Sequence, residues 1–223
     1  PAVGVSTWHR PQDVFSTFSM RIFLSVGPFL DVAQGVQASE AGGKLLDFLG
    51  VRSQPTVAMV IKHLRNLMAK GEPPHSDVYR FLSETKEPKA LGPLRSEPCL
   101  WSGGRYYRPD ATFIEEHSFG ARRYRLDREW QRFAHLLHTL NVKRTPDAAD
   151  ARAVLLELEH DHANNLPLSE DDFRIAFSCW QVISQEADSL NDDWFRDLRD
   201  RKVVPNIARI LTKPTWLFFR DRP

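Results

Sequence analysis

Phe48-Leu49-Gly50-Val51-Arg52-Ser53-Gln54-Pro55-Thr56 returns 91 residues downstream as Thr139-Leu140-Asn141-Val142-Lys143-Arg144-Thr145-Pro146-Asp147. Both stretches read leucine, a turn residue, valine, a basic residue, then proline four places after the valine. Gly50 and Asn141 occupy the place where a helix ends on a left-handed residue. The spacing therefore predicts a helix stopping at each. The proline is expected in the first turn of the next helix, where its missing N–H leaves no bond unmade.

The flanking residues agree. Val57, Val60, Ile61, Leu64, Leu67 and Met68 recur at threes and fours, which predicts one buried face of a helix that Gly71 stops. Ala148, Ala151, Leu155 and Leu158 hold the same offsets in the second copy, with Val154 alongside. Upstream, Leu45, Leu46 and Leu49 correspond to Leu136, Leu137 and Leu140. Further helices are predicted at Asp77–Leu82 and at Glu170–Gln185, the latter with Ser169 as N-cap.

A second motif recurs three times, around Pro11, Pro109 and Pro214. An aromatic or aliphatic pair and a basic residue precede each proline, and a hydrophobic run follows. The middle copy follows Pro98-Cys99-Leu100-Trp101-Ser102-Gly103-Gly104-Arg105-Tyr106, two short apolar runs around a glycine turn, which predicts a β-hairpin. Val203 to Leu211 reads as a similar hairpin without the glycine pair. Lys86–Ser96 and Asn164–Pro167 read as polar surface loops.

These readings give a mainly α-helical α+β fold. Two degenerate helix-turn-helix-plus-β-hairpin repeat units, 39–125 and 126–223, are expected to pack together, each closed by its proline motif. Residues 1–38 read as the tail of a preceding unit. A start at Pro1 without an initiator methionine reads as a slice from inside a longer protein.

With 223 residues, 42% of them hydrophobic, the chain can bury a sizeable core. Thirty Lys and Arg against 29 Asp and Glu exert no strong bulk pull toward nucleic acid or membrane. The two cysteines, Cys99 and Cys179, do not make a disulfide framework, and the usage fits a cytoplasmic location. The apolar stretch Ile22–Leu30 is short and broken by Gly27-Pro28, so no membrane span is expected. No basic region precedes an apolar run, so no signal peptide is expected.

Several residues resemble the sacsin-like proteins, in which a GHKL-type ATPase domain is followed by helical repeat regions. The carriers are Leu46-Asp47-Phe48-Leu49-Gly50-Val51 with Pro55-Thr56-Val57, then Val78-Tyr79-Arg80-Phe81-Leu82, Glu97-Pro98-Cys99-Leu100-Trp101 and Gly104-Arg105-Tyr106-Tyr107-Arg108-Pro109. The resemblance covers roughly residues 40–115 well and 130–220 poorly. It implies a chaperone-related parent that handles ATP elsewhere, with this segment a linker or client-facing scaffold. The asparagine-bearing helix, the Asp-x-Gly element and the glycine-rich lid of such an ATPase are not found in this sequence.

Catalytic chemistry finds little purchase. Glu159-His160-Asp161-His162 is the best acid–base or metal candidate, but histidines two apart on a helix face different sides. A polar helix end, favourable to the helix dipole, is the expected reading. His135 and His138 share a helix face and are expected to be partly buried beside Leu136 and Leu137. Both cysteines are expected as buried structural thiols. The densest basic cluster is Arg122-Arg123-Tyr124-Arg125, whose interleaved Arg and Tyr suit phosphate or base contact. Nearby Glu115, Glu116, Asp127 and Glu129 favour a salt-bridged face instead. The run Asp192–Arg201 predicts an amphipathic helix with Trp194, Phe195 and Leu198 turned inward.

The expected role is therefore a non-catalytic scaffold or protein-interaction module. Its partners would be protein clients or neighbouring domains, with no cofactor, metal or membrane involved in this segment. The alternative is a nucleic-acid-binding module using the helix-turn-helix-like units and Arg122–Arg125.

Overall fold

The computed structural model describes residues 2–3, 8–16, 27–30 and 39–216. Most of the tail predicted over 1–38, part of the apolar stretch from Ile22, and Leu217 and Phe218 of the third proline motif lie outside them. The fold is mainly α-helical with small two-stranded sheets. The chain divides into two compact units, residues 1–110 with 126–142, and residues 111–125 with 143–223.

In the first unit, β1 (Ala2–Val3) pairs antiparallel with β2 (Phe29–Leu30). Helix α1 (Glu40–Phe48) starts on Ser39, whose hydroxyl accepts from the Gly42 N–H. It ends as predicted: Gly50 has φ of 74°, its N–H reaches Asp47 O, and the Val51 N–H reaches Leu46 O. Those two bonds satisfy carbonyls that the helix end would otherwise leave open. Helix α2 (Val57–Lys70) buries Val57, Val60, Ile61 and Leu64 and stops at left-handed Gly71. Its N-cap is Thr56, so Pro55 lies one residue before the cap rather than in the first turn. The threonine hydroxyl fills the capping role, and proline fixes the entry.

Helix α3 (Ser76–Ser83) buries Val78, Tyr79 and Leu82. The segment expected as a polar loop is instead a 3-10 stretch over Pro88–Ser96 with Leu91 and Leu94 fully buried. Residues three apart eclipse in a 3-10 turn, so the two leucines make one apolar edge. The predicted hairpin is present as β3 (Leu100–Ser102) and β4 (Arg105–Tyr107), turning on Gly103 and Gly104, both at positive φ. The unit is completed by α4 (Arg128–Gln131) and α5 (Ala134–Thr139). Helix α5 packs against α3, and Arg95 Nε donates to Thr139 O at 2.9 Å. Asn141 ends α5 at φ 61°, with Asn141 N–H to His138 O and Val142 N–H to Leu137 O, the pattern found at Gly50.

In the second unit, β5 (Thr112–Phe113) pairs parallel with β6 (Tyr124–Arg125). Helix α6 (Ala148–Asp161) is capped by Asp147, with reciprocal bonds between Asp147 and Asp150. Helix α7 (Glu170–Glu186) is capped by Ser169, as predicted. Ala148, Ala151, Val154, Leu155 and Leu158 of α6 share a core with Ile175, Ala176, Cys179 and Ile183 of α7. Helix α8 (Asp192–Arg199) buries Leu198 and turns Trp194 and Phe195 toward that core. A second hairpin, β7 (Val204–Pro205) with β8 (Leu211–Thr212), follows.

The repeat is visible in backbone bonds. Phe15 lies between Phe29 and Arg52, parallel to both. Phe113 lies between Arg125 and Lys143, again parallel to both. Ser16 N–H donates to Arg52 O at 2.9 Å, and its counterpart Ile114 N–H donates to Lys143 O at 3.2 Å. The prolines of the second motif open short 3-10 turns at Pro11–Asp13, Pro109–Ala111 and Pro214–Trp216. The strand after each of the first two is the centre of the next three-stranded arrangement. The motif thus leads into a unit as much as it closes one; the sequence boundary 38/39 falls within the first compact unit, whereas 125/126 coincides with a junction between the two.

Candidate functional site

The Arg122–Arg125 cluster sits where a 3-10 turn, Gly120–Arg122, leads into β6. Gly120 has φ of 50°, and a Cβ there would stand 3.0 Å from Ile175 Cδ1, so the turn lies close against α7. That approach aims the arginines at the acidic ends of two helices. Arg122 pairs with Asp161 at the end of α6 and, at 3.0 Å, with Asp172 in the first turn of α7. Arg123 forks onto Glu157 with bonds of 2.9 and 3.0 Å and is itself buried. Arg125 reaches Glu116 at 3.3 Å. Tyr124 is half-buried, opposite Thr112 in the parallel pair.

The four residues are therefore brought together, but two of the three guanidinium groups are turned into the protein. Nothing in the sequence ties their partners Glu157, Asp161 and Asp172 to the cluster, because they join it only through the packing of α6 and α7. Chemically the arrangement clamps the 112–125 segment onto both helices.

The clamp sets a pH dependence. Burial would raise the Asp172 carboxyl, but hydrogen bonds from Arg122, Ser169 and His162 outweigh it and hold the group below its ordinary value. A depressed carboxylate stabilises the fold above the unfolded-state value, near 4, and the contribution is lost as pH falls through the folded value. Arg122→Met is expected to lower stability by about 1.5–3 kcal/mol at pH 7. The gap between variant and wild type should narrow in acid, as read by circular dichroism during urea unfolding at several pH values. A gap that stays constant down to pH 2 would show that the carboxylate does not depend on Arg122.

The other candidates separate. His160 lines an open groove of 510 Å³ with Glu159, Arg201 and Lys202, whereas His162 caps α6 and meets Asp172 at 3.3 Å. Among the described residues no group of three His, Cys, Asp or Glu could hold a metal ion. His135 and His138 are exposed, a departure from the expected partly buried pair: α5 turns Leu136 and Leu137 inward instead. Cys99 and Cys179 are buried, and burial pushes both thiols up to about 12, which keeps them protonated at neutral pH.

A different feature was not singled out by motif. Leu45 and Phe48 of α1 and its C-cap Leu49 are 53%, 87% and 46% exposed, although they stand at i, i+3 and i+4 on one face. Their counterparts Leu136, Thr139 and Leu140 are all buried. The signal was available in the repeat alignment, but only burial separates a core stripe from an open one.

No helix among the described residues is long and apolar enough to cross a membrane. No family model, curated protein or solved structure matches this chain.

Proposed function

We propose that the chain is a non-catalytic protein-interaction scaffold, built from diverged copies of one helical repeat. The observation that carries this reading is the open apolar face of α1, Leu45, Phe48 and Leu49, whose counterparts Leu136, Thr139 and Leu140 in the repeat are buried. Contiguous exposed apolar side chains on a helix mark a surface that other protein covers. The parent would be a sacsin-like, chaperone-related ATPase of the cytoplasm that binds ATP outside this segment. Support for that part is the run of matching phrases between residues 40 and 115. The nucleic-acid alternative is less favoured by the geometry, since Arg122 and Arg123 already hold carboxylates.

The test is suppression of aggregation. Heat-unfolded citrate synthase mixed with equimolar chain should scatter at least about twofold less light than alone, as expected of an exposed apolar patch. The double variant Leu45→Asp, Phe48→Asp should keep its circular dichroism spectrum and lose the effect. No suppression by the wild type, or retardation of duplex DNA at low salt that Arg125→Ala abolishes, overturns the reading.

A further inference from the structure

The partner of the α1 face can be read from inside the chain. Three features of the second copy rest on the first. Helix α5, the counterpart of α1, packs against α3. Trp130 and Phe133, just before it, meet the Tyr79 ring at centroid distances of 5.0 and 6.1 Å. Arg95 donates to the open carbonyl of Thr139 at the end of α5. Among the described residues the first copy shows no such support: Phe48, the counterpart of Thr139, is 87% exposed.

The second copy in turn carries a version of the supporting surface on which, among the described residues, no counterpart of α5 sits. Tyr79 Oη donates to Cys99 O at 2.7 Å, immediately before β3, and Trp180 Nε1 donates to Val203 O at 3.0 Å, immediately before β7. Trp180 of α7 thus stands where Tyr79 stands in α3. Counting back from the same anchors, buried Leu94 and Arg95 correspond to buried Leu198 and Arg199, each pair four and five residues before Val203 or Cys99. Arg199 is exposed and makes no ion pair or side-chain hydrogen bond among the described residues. Phe177, one turn before Trp180, is 57% exposed.

We propose that the Leu45–Phe48–Leu49 face of α1 docks onto the α7–α8 face of a second copy of this chain, head to tail. The contact repeats the one that α5 makes with α3. Phe48 and Leu49 lie against Phe177 and Trp180, and Arg199 of the second copy donates to Phe48 O as Arg95 does to Thr139 O. The occupant is a second copy because the chain itself carries both halves, with the aromatic face and the arginine at the places the internal interface uses. The proposal rests on the interaction reading above and names its partner. A head-to-tail contact uses different surfaces on the two molecules, so it continues beyond a dimer instead of closing on a two-fold axis.

The test uses two single-cysteine additions to the full chain beside the docking side chains, Lys44→Cys and Gln181→Cys, both at exposed positions, since the native thiols are buried. Under mild oxidation a mixture of the two variants is expected to form the mixed disulfide at least about tenfold faster than either variant alone, the ratio expected if burying one large apolar side chain drives docking. Sedimentation of the wild type should show mass rising past the dimer with concentration, and Arg199→Ala should weaken it without altering the circular dichroism spectrum. A chain that stays monomeric at all concentrations, or Lys44→Cys pairing fastest with itself, overturns the proposal. If aggregation suppression persists in that case, the interaction reading stands and only its partner is wrong. If both fail, the interaction reading falls too.

Discussion

Tyr79→Ala is expected to lower the unfolding free energy by about 3–5 kcal/mol, the range for deleting a buried aromatic ring. The ring is almost wholly buried and meets Trp130 edge-on at 5.0 Å. Its hydroxyl bridges two backbone groups, donating to Cys99 O at 2.7 Å and accepting from the Trp101 N–H at 2.9 Å. Tyr79→Phe separates the two contributions: the ring stays, and a carbonyl and an N–H beside the hairpin lose their partner. That should remove about 1–3 kcal/mol. Burial holds the phenol well above its ordinary pKa, so it stays protonated and the bridge does not titrate through the neutral range. Urea unfolding of both variants at pH 6 and pH 9 should therefore give the same losses. A phenylalanine variant within about 0.5 kcal/mol of wild type would show that solvent replaces the bridge at no net loss.

The second large effect is expected at the α6–α7 contact. Leu155 is fully buried, and small residues, Ala148, Ala151, Ala176 and Cys179, stand in the same core and bring the helices close. Close-packed neighbours cannot collapse into a vacated volume without moving whole helices. Leu155→Ala should therefore cost about 2–5 kcal/mol, toward the upper end. The reverse change, Ala151→Leu, should cost about 1–3 kcal/mol by forcing the helices apart. Denaturant midpoints and amide exchange in α6 and α7 measure both. An Ala151→Leu variant as stable as wild type would mean that the contact has slack, and the first figure would then fall as well.

Much of the fold was legible because it depends on local rules. Gly50, Asn141 and Gly71 announce helix ends through backbone conformation, Ser169 through its cap, and Gly103-Gly104 through the hairpin turn. Helix faces with regular spacing, such as Val57 to Leu64, were legible for the same reason. What was missed depends on partners distant in sequence. Leu91 and Leu94 sit among polar residues and prolines, so the stretch reads as a loop until tertiary packing buries the pair. Pro55 and Pro146 were placed in the first turn of their helices, but Thr56 and Asp147 take the caps and leave each proline one residue before the cap.

The candidate cluster shows the same limit. Arg122 to Arg125 is a conspicuous string, but its character is decided by Glu157, Asp161 and Asp172, which reach it only once two helices are packed. Conversely, Leu45, Phe48 and Leu49 look like ordinary core in sequence. Only the contrast with buried Leu136 and Leu140 marks them as a surface.

The threading of strand 112–113 between residues 125 and 143 has a bearing on synthesis. A ribosome releases the chain from the N-terminus, and segments fold as their contacts become available. The first compact unit lacks α4 and α5 until residue 142 has emerged, long after its own hairpin is made. The segment 111–125 emerges earlier and must then wait for Lys143 and α6. Neighbouring copies therefore mature in overlapping shifts, and a chain stalled or cleaved anywhere between 111 and 142 leaves a unit unfinished.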